Sequence, residues 1–126
     1  MHPEDAVDPF EAAVFDHRGG ATGRLLLVRL EEEADRAGEG ARVGGEEFMV
    51  LLLDMDDDRL AKAAERFRAV IESTPMPLAY GSQLTLTASI GGSVVTSEDS
   101  IRGLLGRLDN ALYRAKNQGR NTVEID

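Results

Sequence analysis

The chain has 126 residues, 42% of them hydrophobic and none of them cysteine, which suits one domain with one core and excludes disulfide and thiol chemistry. With 14 basic residues against 23 acidic ones the formal net charge is -9, a surface that repels nucleic acid and anionic lipid unless basic residues cluster locally. No apolar run approaches the roughly 18 residues of a membrane helix, and the start Met1-His2-Pro3-Glu4-Asp5 is too acidic for a signal peptide, so a cytoplasmic protein with no membrane and no nucleic-acid partner is expected.

In chain order, Asp8-Pro9-Phe10-Glu11 reads as a helix start, with Asp8 as cap and Pro9 in the first helical position, and the helix runs to about Arg18 before Gly19. Arg24 to Ala37 has two readings. Leu25 to Leu30 suits a buried strand, whereas Leu26, Leu30, Ala34 and Ala37 form a helical stripe ending at Gly38. Phe48 to Leu53 is an unbroken apolar run that predicts a central buried strand. Asp56-Asp57-Asp58 then opens a helix carrying Leu60, Ala64, Phe67 and Ile71 on one stripe, with Pro75 beyond its end.

Leu78-Ala79-Tyr80, a turn at Gly81-Ser82 and Leu84 to Ile90 predict a hairpin whose second arm has one buried face: Leu84, Leu86, Ala88 and Ile90. A last helix over Ile101 to Gln118 carries Leu104, Leu108, Leu112 and Ala115, with Gly119 just past its end, and Thr122 to Ile125 is a final strand. Strands alternating with helices give an α/β fold with one sheet.

Gly44-Gly45-Glu46-Glu47-Phe48 opens the most apolar strand. The glycines allow positive φ and close approach of backbone to a ligand, and paired carboxylates beside such a turn can hold Mg²⁺, which prefers oxygen ligands. A hairpin turn with solvated acids is the plainer reading of the pentapeptide alone. Lys116 and Arg120, at the end of the last helix, are favourable to its dipole in any case, but they also make a nucleotide phosphate a better partner than a nucleic-acid backbone.

Three segments carry a resemblance. Arg42-Val43-Gly44-Gly45-Glu46-Glu47-Phe48 looks like the signature hairpin of the GGDEF family of diguanylate cyclases in its GGEEF form. Thr85-Leu86-Thr87-Ala88-Ser89-Ile90-Gly91 resembles its T-x-S-I-G strand, and Asp109 to Asn121 resembles its terminal D-x-A-L-Y-x-A-K-x-x-G-R-N block. The chain is thus similar to a single GGDEF-like domain over 1–126, divergent over 1–40 and recognisable over 41–126. The resemblance implies a palm-like, ferredoxin-like fold of the nucleotide-cyclase kind, with a central, mostly antiparallel sheet flanked by helices.

It also implies a reaction: two GTP molecules condense to cyclic di-GMP and pyrophosphate across a dimer of domains. Glu46 then matches the carboxylate that binds Mg²⁺, and Glu47 its catalytic neighbour. Gly44 and Gly45 match the positions where backbone meets the nucleotide, and Lys116 and Arg120 the pair that holds the triphosphate. The expected partners are GTP or a related nucleotide and a second copy of the chain.

Before Arg42 the family's pattern of D-x-D, F-K-x-x-N-D, G-H and G-D is not intact. In one alignment Asp8-Pro9-Phe10-Glu11 stands in place of D-x-F-K, so that Val14, Phe15, Thr22 and Gly23 fall on the N-D and G-D positions. In the other, Leu25 to Leu30 is the first strand, Arg29-Leu30-Glu31 replaces D-x-D, and the two helices shrink to Glu32 to Gly40. The second is preferred because it leaves no strand edges unpaired. In both, the guanine-reading Asn and Asp have no match and the second metal carboxylate is replaced or doubtful; in the second, an unpaired Arg29 at a metal position would repel Mg²⁺. The function expected is a nucleotide-binding or regulatory module with impaired turnover. The alternatives are an active cyclase using Glu46 and Glu47 with Mg²⁺, and a palm domain of other specificity. Arg36-Ala37-Gly38-Glu39 has the spacing of the family's product-inhibition pair but reads as a solvated loop.

Overall fold

The computed structural model describes residues 23–32, 47–52, 56–96 and 98–126. The helix expected from Asp8, the pair Gly44 and Gly45, Glu46 and the segment from Arg36 to Glu39 lie outside these residues. Of the two readings of Arg24 to Ala37, the strand is the one formed: β1 spans Arg24–Glu32. Leu25, Leu26, Leu27 and Val28 are all buried, on alternating faces of the pleat, as in a strand covered on both sides.

The remaining elements are β2 (Glu47–Leu52), α1 (Asp57–Glu72), β3 (Met76–Pro77), a 3₁₀ turn (Ala79–Gly81), β4 (Gln83–Leu84), β5 (Leu86–Val94), α2 (Ile101–Asn117) and β6 (Val123–Ile125). The main sheet has the order β2-β1-β5-β6. β1 is antiparallel to both neighbours, with Arg29 opposite Glu47 on one side and Ser89 on the other. β6 runs parallel to β5, and α2 supplies the crossover that a parallel pair requires.

Asp56 caps α1 by accepting from the Arg59 N–H at 2.8 Å, and Asp57 and Asp58 occupy its first turn, where the helix dipole favours them. Ser100 caps α2 in the same way through the Gly103 N–H. The helices take opposite faces of the sheet. α1 packs Leu60 and Ala64 against Leu26, Val28, Ala88 and Ile90. α2 packs Leu104, Leu108 and Leu112 against Leu25, Leu27 and Val95. The odd-numbered residues of β1 therefore face α2 and the even-numbered ones α1.

Four expectations change. β2 is an outer strand of the described sheet rather than a central one, and Phe48 is 39% exposed, because α1 lies over β5 and β6. Phe67 is also largely exposed, so the apolar stripe of α1 is narrower than its spacing suggests. The hairpin before the main strand pairs only β3 with β4, while Leu86 onward joins the main sheet. Finally, β5 is buried on both faces: Thr87, Ser89 and Ser93 lie beneath α2. Small side chains there let the helix approach closely, and a Cβ on Gly91 would come within 2.5 Å of the Leu112 backbone nitrogen.

Candidate functional site

The alternation that sends Leu25 and Leu27 to α2 sends Arg29 and Glu31 to the same face, at the far end of β1. Register brings Glu47 of β2 opposite Arg29, and the last turn of α2 brings Lys116. The Arg29 Nη1 is 3.2 Å from the Glu47 Oε1, and the Lys116 Nζ is 3.7 Å from that same oxygen. One carboxylate oxygen thus sits between two cations.

After α2 the chain turns through three residues in the left-handed region: Gly119 (φ 104°), Arg120 (φ 62°) and Asn121 (φ 49°). Such backbone comes free for glycine but is strained for arginine, so other contacts must hold it. The Arg120 N–H donates to the Ala115 carbonyl at 3.1 Å. The Asn121 Oδ1 accepts from the Arg68 Nη1 at 2.9 Å, and its amide donates to Glu72, which ties the turn to α1. Arg68 is itself held by Glu65. The hydrogen bond between them lowers the Glu65 carboxyl and raises the Arg68 guanidinium.

That turn aims the Arg120 guanidinium at Glu31. Only 2% of Glu31 is exposed. The Ser89 hydroxyl donates to its Oε1, and the Arg120 Nη1 lies 3.0 Å from its Oε2, an ion pair off the line of a hydrogen bond. Among the described residues the site holds three cations and two carboxylates, on a chain of net charge -9.

Of the site residues read from the sequence, Glu47 and Lys116 are brought into contact, and Arg120 is engaged by Glu31 on the same sheet face. Gly44, Gly45 and Glu46 lie outside the described residues. Arg29 is not unpaired, as its position had suggested; its register partner Glu47 neutralises it. Ser89, Asn121, Arg68 and Glu72 carry contacts that sequence reading did not single out. Ser89 and Asn121 were visible only as members of the T-x-S-I-G and G-R-N blocks.

Whether these residues suit a divalent cation is a question of donors. Among the described residues no group of three or more His, Cys, Asp or Glu side chains could hold a metal ion. Glu47 is matched by Arg29 and Lys116, and Glu31 by Arg120. The described residues therefore do not fit Mg²⁺. Among them, too, no helix is long and apolar enough to cross a membrane.

A family model described as diguanylate cyclase, GGDEF domain, matches residues 14–122. The uncharacterized protein YhcK of Bacillus subtilis is 37% identical over 108 residues, covering 85% of this chain and 30% of that protein. The probable diguanylate cyclase DgcT of Escherichia coli is 48% identical over 88 residues, covering 68% of this chain and 19% of that one. The chain thus spans less than a third of the length of these relatives. In fold it is similar to the GGDEF domain of DgcB from Caulobacter crescentus, solved in complex with c-di-GMP, with a TM-score of 0.63 at 21% identity over 82% of this chain and 78% of that one. On the match over residues 14–122, the chain belongs to the GGDEF family of diguanylate cyclase domains.

Proposed function

We propose that the chain acts in cyclic di-GMP signalling as a single GGDEF domain that binds GTP or a related nucleotide and turns it over poorly. Lys116 and Arg120 would hold the phosphates, Gly44 and Gly45 would lie against the nucleotide, and Glu46 and Glu47 would be the carboxylates of the reacting centre. The observation that carries this reading is the convergence of Lys116 and Arg29 on one anionic oxygen, with Arg120 on the same sheet face. Such a cluster can bind a triphosphate and stabilise charge on departing pyrophosphate.

Arg29 supports the impairment, since it faces Glu47 where the family resemblance calls for a second metal carboxylate. The family reaction joins two GTP molecules, so full turnover would need a homodimer. The GTP pool places the proposed function in the cytoplasm. An active cyclase is the second reading, favoured by the likeness to DgcT, and Mg²⁺ bound through Glu46 belongs to it.

The two readings part in one assay. The chain at high concentration is incubated with GTP and Mg²⁺, and cyclic di-GMP is sought by mass spectrometry. The proposal expects little or no product while GTP still raises the melting temperature. Steady product formation that disappears in Glu46→Ala or Glu47→Ala would establish the active cyclase instead.

A further inference from the structure

Arg29 is the residue in this cluster that no family motif accounts for. It is anchored on β1 between two neighbouring strands, with a side chain only 24% exposed. Its Nε is buried and has no hydrogen-bond acceptor among the described residues. Among the described residues the guanidinium spends its Nη1 on Glu47, while its Nε is enclosed rather than open to a ligand.

Glu47 differs in kind. Its side chain is 41% exposed on an outer strand of the described sheet, and it can swing to solvent without leaving a cavity. Its Oε1 marks a point where Arg29 and Lys116 both favour an anionic oxygen. A phosphate oxygen at that point would bring more charge than a carboxylate oxygen and would meet the Arg29 Nη1 and the Lys116 Nζ together. Arginine suits contact with phosphate, and unlike a metal ion it needs no carboxylate ligands.

We infer that Arg29 and Lys116 form a metal-independent clamp for a phosphate group, in which Glu47 stands in for the anion until it is displaced. This inference rests on the nucleotide reading above and adds a residue and a mode of binding to it. Arg29 replaces the charge of a divalent cation with a fixed one. That accounts for a cationic residue opposite Glu47 and for the poor fit of the described residues to Mg²⁺.

The test is isothermal titration calorimetry of inorganic pyrophosphate into the full chain, in EDTA and again in Mg²⁺, with thermal melts to show that each variant is folded. Binding is expected in EDTA. Arg29→Gln is expected to weaken it by about tenfold or more, with Arg29→Lys recovering part of the loss. Glu47→Gln, which removes the internal competitor, should tighten binding by about threefold. Binding that appears only with Mg²⁺ would overturn the inference. So would an Arg29→Gln variant that binds as the parent does while Lys116→Ala does not, although the nucleotide reading would then stand. Absence of pyrophosphate binding in both buffers would overturn the clamp, while the nucleotide reading would still be judged by whether GTP raises the melting temperature.

Discussion

Glu31 and Arg120 meet across the end of the sheet, a 2%-exposed carboxylate answered by a guanidinium whose own backbone sits at φ 62°. Removing Arg120 leaves a buried carboxylate with the Ser89 hydroxyl as its remaining partner among the described residues, too little to offset its charge. Arg120→Ala is therefore expected to cost about 3 kcal/mol of stability. Lys116→Ala, which breaks a pair with a partly exposed carboxylate, should cost less than about 1 kcal/mol. Urea denaturation of the two variants gives both values, and equal losses would contradict the burial argument.

Gly91 lies where α2 presses on β5. A Cβ there would stand 2.5 Å from the Leu112 nitrogen and 2.9 Å from the Leu108 carbonyl oxygen, both backbone atoms that cannot rotate away. Gly91→Ala should then destabilise the domain by about 1–3 kcal/mol, the range for an overpacked core. Gly106 has open space at its Cβ position. Gly106→Ala, in the middle of α2, is expected to gain about 0.5–1 kcal/mol through helix propensity. Thermal melts of the pair would separate the effect of packing from that of propensity.

Much of this architecture is legible in the sequence. Asp56-Asp57-Asp58 opens α1 where its charge pattern placed it, and the stripe Leu104, Leu108, Leu112, Ala115 is buried as its spacing requires. Gly119 ends α2 in the left-handed conformation expected of it. Arg24–Glu32 was divided between strand and helix because a residue run apolar on both faces carries no period, and only its two strand partners decide the matter. Arg29 looked isolated for a related reason. Its partner Glu47 is 18 residues away, and strand register is a long-range property that no local pattern encodes. The two-sided burial of β5 was hidden because Thr87, Ser89 and Ser93 are polar, and their smallness is what matters beneath a helix.

Away from the site, Asp99 offers a pH-dependent contribution to stability. The Arg107 guanidinium, and after it the Thr96 N–H at 2.7 Å, hold the Asp99 carboxyl down from its ordinary 3.8 to about 2. A depressed carboxyl stabilises the folded state above its unfolded pKa and loses that effect as pH falls through the folded value. Asp99 should thus contribute roughly 1–2 kcal/mol near neutrality, after allowance for solvent around Arg107. The contribution should fade between pH 3.8 and about 2. Asp99→Asn is expected to be less stable than the parent at neutral pH and to approach it in that acid window, as followed by urea midpoints at each pH.

Asn121 should prove structural rather than decorative. Its amide accepts from Arg68 and donates to Glu72, so the turn carrying Arg120 is fixed to α1. Asn121→Ala is expected to cost about 1–2 kcal/mol. Asn121→Asp should do no better, since it keeps an acceptor for Arg68 but sets a carboxylate against Glu72. Hydrogen exchange should show faster amide exchange at Gly119 and Arg120 in both variants.

The central claim is that the cationic cluster beside Glu47 receives the phosphates of a nucleotide. Calorimetric titration of GTP into the full chain, beside its Lys116→Ala variant, tests it most directly. Saturable GTP binding that weakens by about tenfold or more in the variant is the expected result, in line with loss of a charged contact to phosphate. Binding of equal strength in both proteins, or no binding to the parent chain, would contradict it.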